Sequence, residues 1–344
     1  MKQVAIVGGT GYGAIELIRL LQGHSKLQIT KIISHSQEGQ RLEETYPHLK
    51  SFVPTPMEEL NIHALDQEVD IVFFATPPGV SKQYIPHLQS VQCIDLSGDL
   101  RLDSPETYKM WYGQEGAPKS LLDEAVYGLS EIYSEKLSTA RICSNPGCFP
   151  TASLLGLMPA VHHDLIDLSS IVIDGKTGVS GAGRKQSAMT HFSETNENVK
   201  PYKVGKHQHI PEIEQYLTRE ADQQAYINMT THLIPMTRGL MCTIYTHLKS
   251  SVEPSYIHEL YSNFYQNHPF VRVRPQDHFP ATKEVAGSNF CDIGVHINER
   301  TGQLTIASAI DNLVKGAAGQ AIQNANIMNG WNVEEGLQLI PMFP

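Results

Sequence analysis

Three scarcities bound what this chain of 344 residues can be. Long apolar runs are missing from its start. Val4 to Val7 is the whole of the first one before glycine intervenes, too short for the core of a secretion signal or for a membrane span. A cytoplasmic protein with no membrane partner is expected. Positive charge is in deficit: 26 Lys and Arg stand against 36 Asp and Glu, a formal net charge of -10, and no run of Lys or Arg makes a local exception. A nucleic-acid backbone therefore finds no basic field to bind. Cysteine is sparse. Cys93, Cys143, Cys148, Cys242 and Cys291 are odd in number and hold no C-x-x-C pair, which argues for free thiols and against a disulfide framework or a zinc site. Internal repeats and low-complexity tracts are lacking as well, so the length points to two ordinary globular domains.

What is present changes in grain near the middle. The first half alternates short apolar runs with helical patterns: "QVAIVGG", "AIELIRLLQG", "LQITKIIS", then "DIVFFATP", "VQCIDLS" and "ARICSN". That alternation is the signal for a parallel sheet with crossover helices. Beyond Cys148 the apolar runs lengthen, and "NFCDIGVHI" and "LTIASAI", joined through "NERTG", alternate as an antiparallel hairpin does, while "PSYIHELYSNFYQN" reads as an amphipathic helix. A second, mixed α/β domain is expected, with the boundary at the Pro-Gly corner before Cys148. The closing "NLVKGAAGQAIQNANIMNG" has helical spacing at Leu313, Ala317, Ala321 and Ala325, small residues suited to close packing on a sheet.

The stretch "VAIVGGTGYGAIELI" reads as a buried strand, a tight turn and a helix. Gly9, Gly11 and Ala14 keep the G-x-G-x-x-G/A spacing, with Thr10, Tyr12 and Gly13 between them. In that spacing the first glycine makes the turn, the second lets backbone approach a pyrophosphate, and the third small residue lets helix and strand pack. N–H groups at the helix start then face the phosphates. The end of the second strand selects the dinucleotide. NAD sites place an acidic residue there, whereas here stand Ser34, His35 and Ser36, with Arg41 beyond, so NADP(H) is the expected cofactor. The plainer alternatives are a structural turn and a solvated polar loop.

Cys148 stands in "SNPGCFPTA", between a Pro-Gly turn and a Phe-Pro step. With Pro150 opening a helix that "TASLLGLM" continues and Pro159 stops, Cys148 falls just before the helix N-terminus, where partial positive charge favours thiolate. The other four cysteines lie in apolar, strand-like settings that suit packing. In "VGKHQHIPEIEQ", His207 and His209 are two apart, on one face of an extended segment, and "PEIEQ" starts a helix. Imidazole suits proton transfer near neutral pH, and a solvated pair is the bland alternative. No third ligand at suitable spacing accompanies the pair, so no metal is expected. Candidate anion holders are Ser180, Gly181 and Arg184 in the glycine-rich "GKTGVSGAGRK", Arg101 in "DLSGDLRL", and Arg238 in "PMTRGL". Planar guanidinium groups suit a small carboxylated or phosphorylated substrate.

Together, "GGTGYGAIELIRLL", "DLSGDLRL", "VYGLSE", "SNPGCFPTA", "GVSGAGR", "GKHQHIPEIEQ", "HLIPMTRGL" and "SAIDNLVKGAAGQAIQNANIMNG" run almost end to end, and the chain resembles the N-acetyl-gamma-glutamyl-phosphate reductases of arginine biosynthesis. The resemblance implies an α/β fold. A Rossmann-type NADP-binding domain, 1–147 completed by 312–344, joins a mixed α/β substrate domain of the aspartate-semialdehyde and glyceraldehyde-phosphate dehydrogenase type over 148–311. It implies Cys148 as nucleophile and the His207/His209 pair as acid and base, with His209 favoured. Thr76, Pro77, Asn312 and Lys315 fall to the cofactor, and Arg101, Asn145 and Arg184 to the substrate. The expected reaction is NADPH-dependent reduction of N-acetyl-L-glutamyl 5-phosphate to the semialdehyde through a cysteine thioester, releasing inorganic phosphate, in a homodimer or homotetramer. The chain departs from the family pattern with Phe149 for a tyrosine, Gln208 for an arginine, "SHSQEGQ" for a more basic loop, and "TPPG" without its usual histidine. The rival readings are another acyl-phosphate reductase, such as aspartate-semialdehyde dehydrogenase, and an NADP-binding sensor without turnover.

Overall fold

The computed structural model describes residues 1–35, 37–53 and 56–343. The chain divides into two compact units, Met1–Pro146 with Ala317–Gln338, and Gly147–Gly316 with Leu339–Pro344. The second crossing therefore falls later than the expected 311/312, and the last residues lie with the second unit. Local bonds explain both shifts. Asn312 donates to Ser180 Oγ at 3.0 Å and accepts the Gly239 N–H at 2.8 Å, while the Met342 N–H reaches the Ala286 carbonyl at 2.8 Å. Among the described residues, the helices of eight residues or more are α1 (Tyr12–Leu21), α2 (Pro105–Tyr112), α3 (Ser130–Leu137), α4 (Cys148–His162), α5 (His209–Ala221), α6 (Pro254–Tyr265) and α7 (Gly319–Met328). None is long and apolar enough to cross a membrane.

In the first unit, the described strands β1 (Lys2–Val7), β2 (Leu27–Ile33), β3 (Ile71–Phe74), β4 (Gln92–Asp95), β5 (Val126–Tyr127) and β6 (Ile142–Ser144) form one parallel sheet in the order β2-β1-β3-β4-β6-β5. Burial of both faces explains the unbroken apolar runs: every residue of β3 is buried. The order reverses between β1 and β3, and ligands of open α/β sheets bind beyond the carboxyl ends of strands at such a point. Helix α7 packs chiefly on α3 and α1. Its polar side chains do the fastening: Gln320 donates to the Gly128 carbonyl and Ser130 Oγ at 2.7 Å each, and Asn324 to the Gly128 carbonyl at 2.8 Å.

His24 anchors the segment after α7. Its Nδ1 accepts the N–H groups of Lys26 and Leu27 at 3.1 Å each, so the ring proton sits on Nε2, 2.8 Å from Asn326 Oδ1. Asn326 in turn donates to the carbonyls of Val333 and Glu335. Burial pulls the imidazole pKa below its ordinary 6.5, against the pull of Asn326 and Glu335.

In the second unit, the described strands β7 (Ile171–Thr177), β8 (Lys200–Tyr202), β9 (Ile227–Leu233), β10 (Leu240–His247), β11 (Val271–Val273), β12 (Cys291–Asn298) and β13 (Gln303–Ile310) form a mixed sheet in the order β11-β12-β13-β10-β7-β9-β8. The expected hairpin is β12 and β13, antiparallel from Cys291↔Ile310 to Asn298↔Gln303. Helix α4 packs on β10 and β13 and is flanked by α5 and α6. Phe149 to Val161 are all buried, which is why α4 is apolar all round.

Pro159 does not stop α4, contrary to expectation; the helix runs on to His162. A proline removes the N–H that would bond the carbonyl four residues back. Here that carbonyl, Leu155, receives the Tyr265 hydroxyl of α6 at 2.5 Å, and the next one, Gly156, receives that of Tyr261 at 2.8 Å.

Two stability measurements follow. Tyr265→Phe strands the Leu155 carbonyl and should destabilise by roughly 1–3 kcal/mol in urea unfolding, with a smaller loss when Pro159→Ala supplies an N–H in the same chain. For His24, the unfolded chain takes up the proton first, so its contribution is complete above pH 6.5 and declines as pH falls below that value. Thermal unfolding from about pH 7.5 to about pH 5 should show a steeper decline in the parent than in His24→Gln.

Candidate active site

Two helix N-termini of the second unit, those of α4 and α5, build the candidate site. Helix α4 starts two residues earlier than Pro150 suggested. Gly147 is its N-cap and Cys148 its first residue, with Pro150 third. A cysteine there lies in the positive end of the helix dipole. Cys148 is partly exposed, whereas Cys93, Cys143, Cys242 and Cys291 are buried. Burial pushes the Cys93 and Cys242 thiols up to about 12 and raises Cys143 as well. Two glycines permit close approach around Cys148. A Cβ on Gly316 would stand 2.8 Å from Cys148 Cβ, and one on Gly147 would stand 2.4 Å from His209 Nε2.

Helix α5 also starts earlier than "PEIEQ", so His209 is its first residue. His207 and His209 lie with ring centroids 4.6 Å apart, but their surroundings differ. His207 Nδ1 accepts the His209 backbone N–H at 3.2 Å, and its ring sits edge-on to Phe149 at 5.4 Å and Tyr202 at 5.8 Å. Burial, and secondarily the charge of Lys203, pull the His207 pKa down to about 3. That imidazole is neutral near pH 7, with one nitrogen committed to the helix start. Glu212 was absent from the sequence reading. It lies one turn beyond His209, is fully buried, and its Oε1 accepts the Gly147 N–H at 2.9 Å. Its i, i+3 spacing from His209 was the available signal.

The expected anion holders separate on inspection. Ser180 is buried and accepts from Asn312; Gly181 and Arg184 lie exposed on the loop after β7. Arg238 pairs with Asp311 at 3.1 Å, a fully buried carboxylate that also receives the N–H groups of Gly287 and Leu313. Lys315 is wholly buried, its ammonium 5.8 Å from the Phe270 ring centroid. The side chains of Arg238, Asn312 and Lys315 thus meet partners of their own unit.

In the first unit, Gly8 to Ala14 lead from β1 into α1. Gly8, with φ +91°, makes the turn that the sequence reading gave to Gly9; a Cβ on Gly9 would instead lie 2.3 Å from Ile32 Cγ2. Gly11 is the N-cap of α1, Gly13 faces open space, Tyr12 is exposed, and the Thr10 carbonyl accepts the Tyr46 hydroxyl at 3.0 Å. Across the switch point, a Cβ on Gly8 would lie 2.5 Å from the Ala75 carbonyl oxygen. Beyond Ala75, Thr76 Oγ1 is buried with no hydrogen-bond partner among the described residues, and Pro77 is exposed. This bare-backbone turn at a helix start, with an unsatisfied hydroxyl beside it, fits a dinucleotide pyrophosphate. Ser34 is buried, His35 is exposed, and Arg41 pairs with Glu43 at 2.8 Å; Ser36 lies outside the described residues. Arg101 donates to the carbonyls of Asn145 at 2.9 Å and Leu96 at 3.0 Å. The Asn145 side chain donates to the Ala317 carbonyl and accepts from Asn324. Among the described residues no group of three or more His, Cys, Asp or Glu is placed to hold a metal ion.

Two family models match the chain: semialdehyde dehydrogenase, NAD binding domain, over residues 3–140, and semialdehyde dehydrogenase, dimerisation domain, over residues 148–312. Curated relatives include the N-acetyl-gamma-glutamyl-phosphate reductases of Oceanobacillus iheyensis, 56% identical with 100% of both chains covered, and Geobacillus kaustophilus, 53% identical with 99% of both covered. That of Bacillus subtilis is 50% identical, covering 99% of this chain and 100% of its own. Among solved structures, aspartate semialdehyde dehydrogenase II of Vibrio cholerae, complexed with ASA, superposes with a TM-score of 0.73 at 16% identity, covering 96% of this chain and 98% of its own. It shares the fold.

Because four of the five thiols are buried, iodoacetamide should label the native protein at one position, Cys148, and label Cys148→Ser hardly at all. Intact-mass analysis checks this, and rapid labelling at a second cysteine would contradict the assignment.

Proposed function

The chain belongs to the N-acetyl-gamma-glutamyl-phosphate reductase family, and from that premise we propose that it reduces N-acetyl-L-glutamyl 5-phosphate to N-acetyl-L-glutamate 5-semialdehyde, releasing phosphate, in the cytoplasm as a step of arginine biosynthesis. The observation that carries this reading is Cys148 opening α4 while the His209 ring lies against Gly147.

The Cys148 sulfur, as thiolate, attacks the acyl carbon. The carbon–oxygen bond to phosphate breaks, phosphate departs with the electron pair, and an acyl thioester remains. NADPH, when bound, supplies the hydride that reduces that thioester. The Cys148 amide, at the helix start, is placed to stabilise oxygen anions formed at the acyl carbon. His209 is the acid and base, giving a proton to the carbonyl oxygen during reduction and taking it back as the carbon–sulfur bond breaks. His207 does not share that task, since it is neutral and its Nδ1 holds the His209 amide. Arg184 holds the substrate carboxylate or phosphate. Gly9 to Ala14 hold the pyrophosphate, while Ser34, His35, Ser36 and Arg41, in a segment with no acidic residue directly after β2, take the 2′-phosphate. Thr76 and Pro77 complete the cofactor side. A second copy of the chain pairs through the uncovered sheet face of the second unit, where Val172, Thr230 and Tyr245 are incompletely buried.

The test is phosphate-dependent NADP reduction by N-acetylglutamate semialdehyde, set against aspartate semialdehyde and against NAD. Activity should favour the acetylated substrate and NADP. Cys148→Ser should abolish it, and His209→Asn should lower kcat by about 100-fold or more, a larger loss than His207→Asn causes. Preference for aspartate semialdehyde would select the rival reductase, and binding of NADP without turnover would select the sensor.

A further inference from the structure

We propose that Glu212 is a positioning residue: its carboxyl, by holding the Gly147 amide, sets the approach of the Cys148 sulfur to the His209 imidazole. The inference rests on the reading of Cys148 and His209 as nucleophile and acid/base, and deepens it.

A helix start leaves its first amides without acceptors inside the helix. In the common solution, the third helical residue is Glu or Gln, which reaches back to the N-cap N–H. In α4 that third residue is Pro150, which has no such side chain, and the N-cap is glycine, which offers no side-chain oxygen of its own. Glu212 supplies the missing acceptor from another helix. A fully buried carboxyl is retained at such a place only when hydrogen bonds offset its desolvation. The same Gly147 carries the His209 ring against its Cα. Gly147 is thus gripped twice by α5, by residues one turn apart, and Cys148 is the next residue along the chain.

The grip has a consequence that general support of the fold lacks. Shortening the side chain by one methylene moves the carboxyl away from the amide without removing it, so Glu212→Asp keeps the chemical group and loses the bond. Glu212→Gln loses the acid and keeps an oxygen at the right reach. Positioning therefore ranks Gln close to the parent and Asp far from it. A catalytic proton donor or acceptor at 212 ranks them the other way.

The experiment reads Cys148 directly, by its rate of alkylation with iodoacetamide as a function of pH, alongside kcat and KM of the reductase reaction per alkylatable thiol. In Glu212→Asp the alkylation profile should shift toward that of His209→Asn, and kcat should fall about 30-fold or more with KM within about threefold. Glu212→Gln should recover most of that loss, staying within about fivefold of the parent. An unchanged alkylation profile in Glu212→Asp, or a greater loss with Gln than with Asp, overturns the proposal. Alkylation needs neither substrate nor cofactor, so a protein that turns over no acyl phosphate still reports on Glu212, and failure of the reductase assay alone refutes the activity rather than the positioning.

Discussion

The N–H of Gly147, received by Glu212 while the His209 ring packs on the same residue, is the contact on which the site in the second unit depends. It brings together the first turns of α4 and α5, both positive ends of helix dipoles. Two such ends in one place repel each other unless an anion lies between or beside them. Cys148 stands at the first position of α4, where such a field favours the ionised form of a thiol.

An N-terminus can position a nucleophile only if the rest of its helix stays still. Helix α4 is enclosed from Phe149 to Val161, and its irregular point, Pro159, is stitched to α6 by two tyrosine hydroxyls. A helix free on one face bends or shifts under small loads, whereas one packed on every side moves only if a close-packed core moves with it. The tyrosines, far along the helix from Cys148, thus serve the same end as Glu212 beside it. Core packing on α4 is part of what holds its Cys148 end in place.

The sequence was most informative where one residue type has a single physical use. Alternating short apolar runs mark the parallel sheet, and a cysteine between a Pro-Gly turn and a Phe-Pro step marks a helix start, although the helix opens two residues before the proline that signals it. It was least informative where a side chain's role depends on a partner distant in sequence. Pro159 reads as a stop until Tyr265 is known to stand beside the Leu155 carbonyl, 110 residues away. Arg238 and Asn312 read as ligand holders, and nothing in the sequence around them shows the bonds that Arg238 makes to Asp311 and Asn312 to Ser180 and Gly239. Glu212 does not stand out in the sequence, because a glutamate in a first helical turn is so ordinary. The glycine turn was legible in position but not in detail, since Gly8 and not Gly9 carries the positive φ.

The two histidines show how burial separates side chains that spacing leaves alike. They are two residues apart and of one type, yet His207 is walled by Phe149 and Tyr202 and held neutral, while His209 is set against Gly147. Two departures from the family pattern meet here. Phe149 puts an apolar ring edge-on to both imidazoles, at 5.4 Å and 6.1 Å. Gln208 lacks the positive charge of the arginine expected between them, but its Oε1 receives the ammonium of Lys203 at 2.6 Å. A cation thus stands beside this segment after all, brought in from the loop before it. Its charge is the second cause, after burial, of the low pKa of His207. Burial and charge thus act in the same direction on His207.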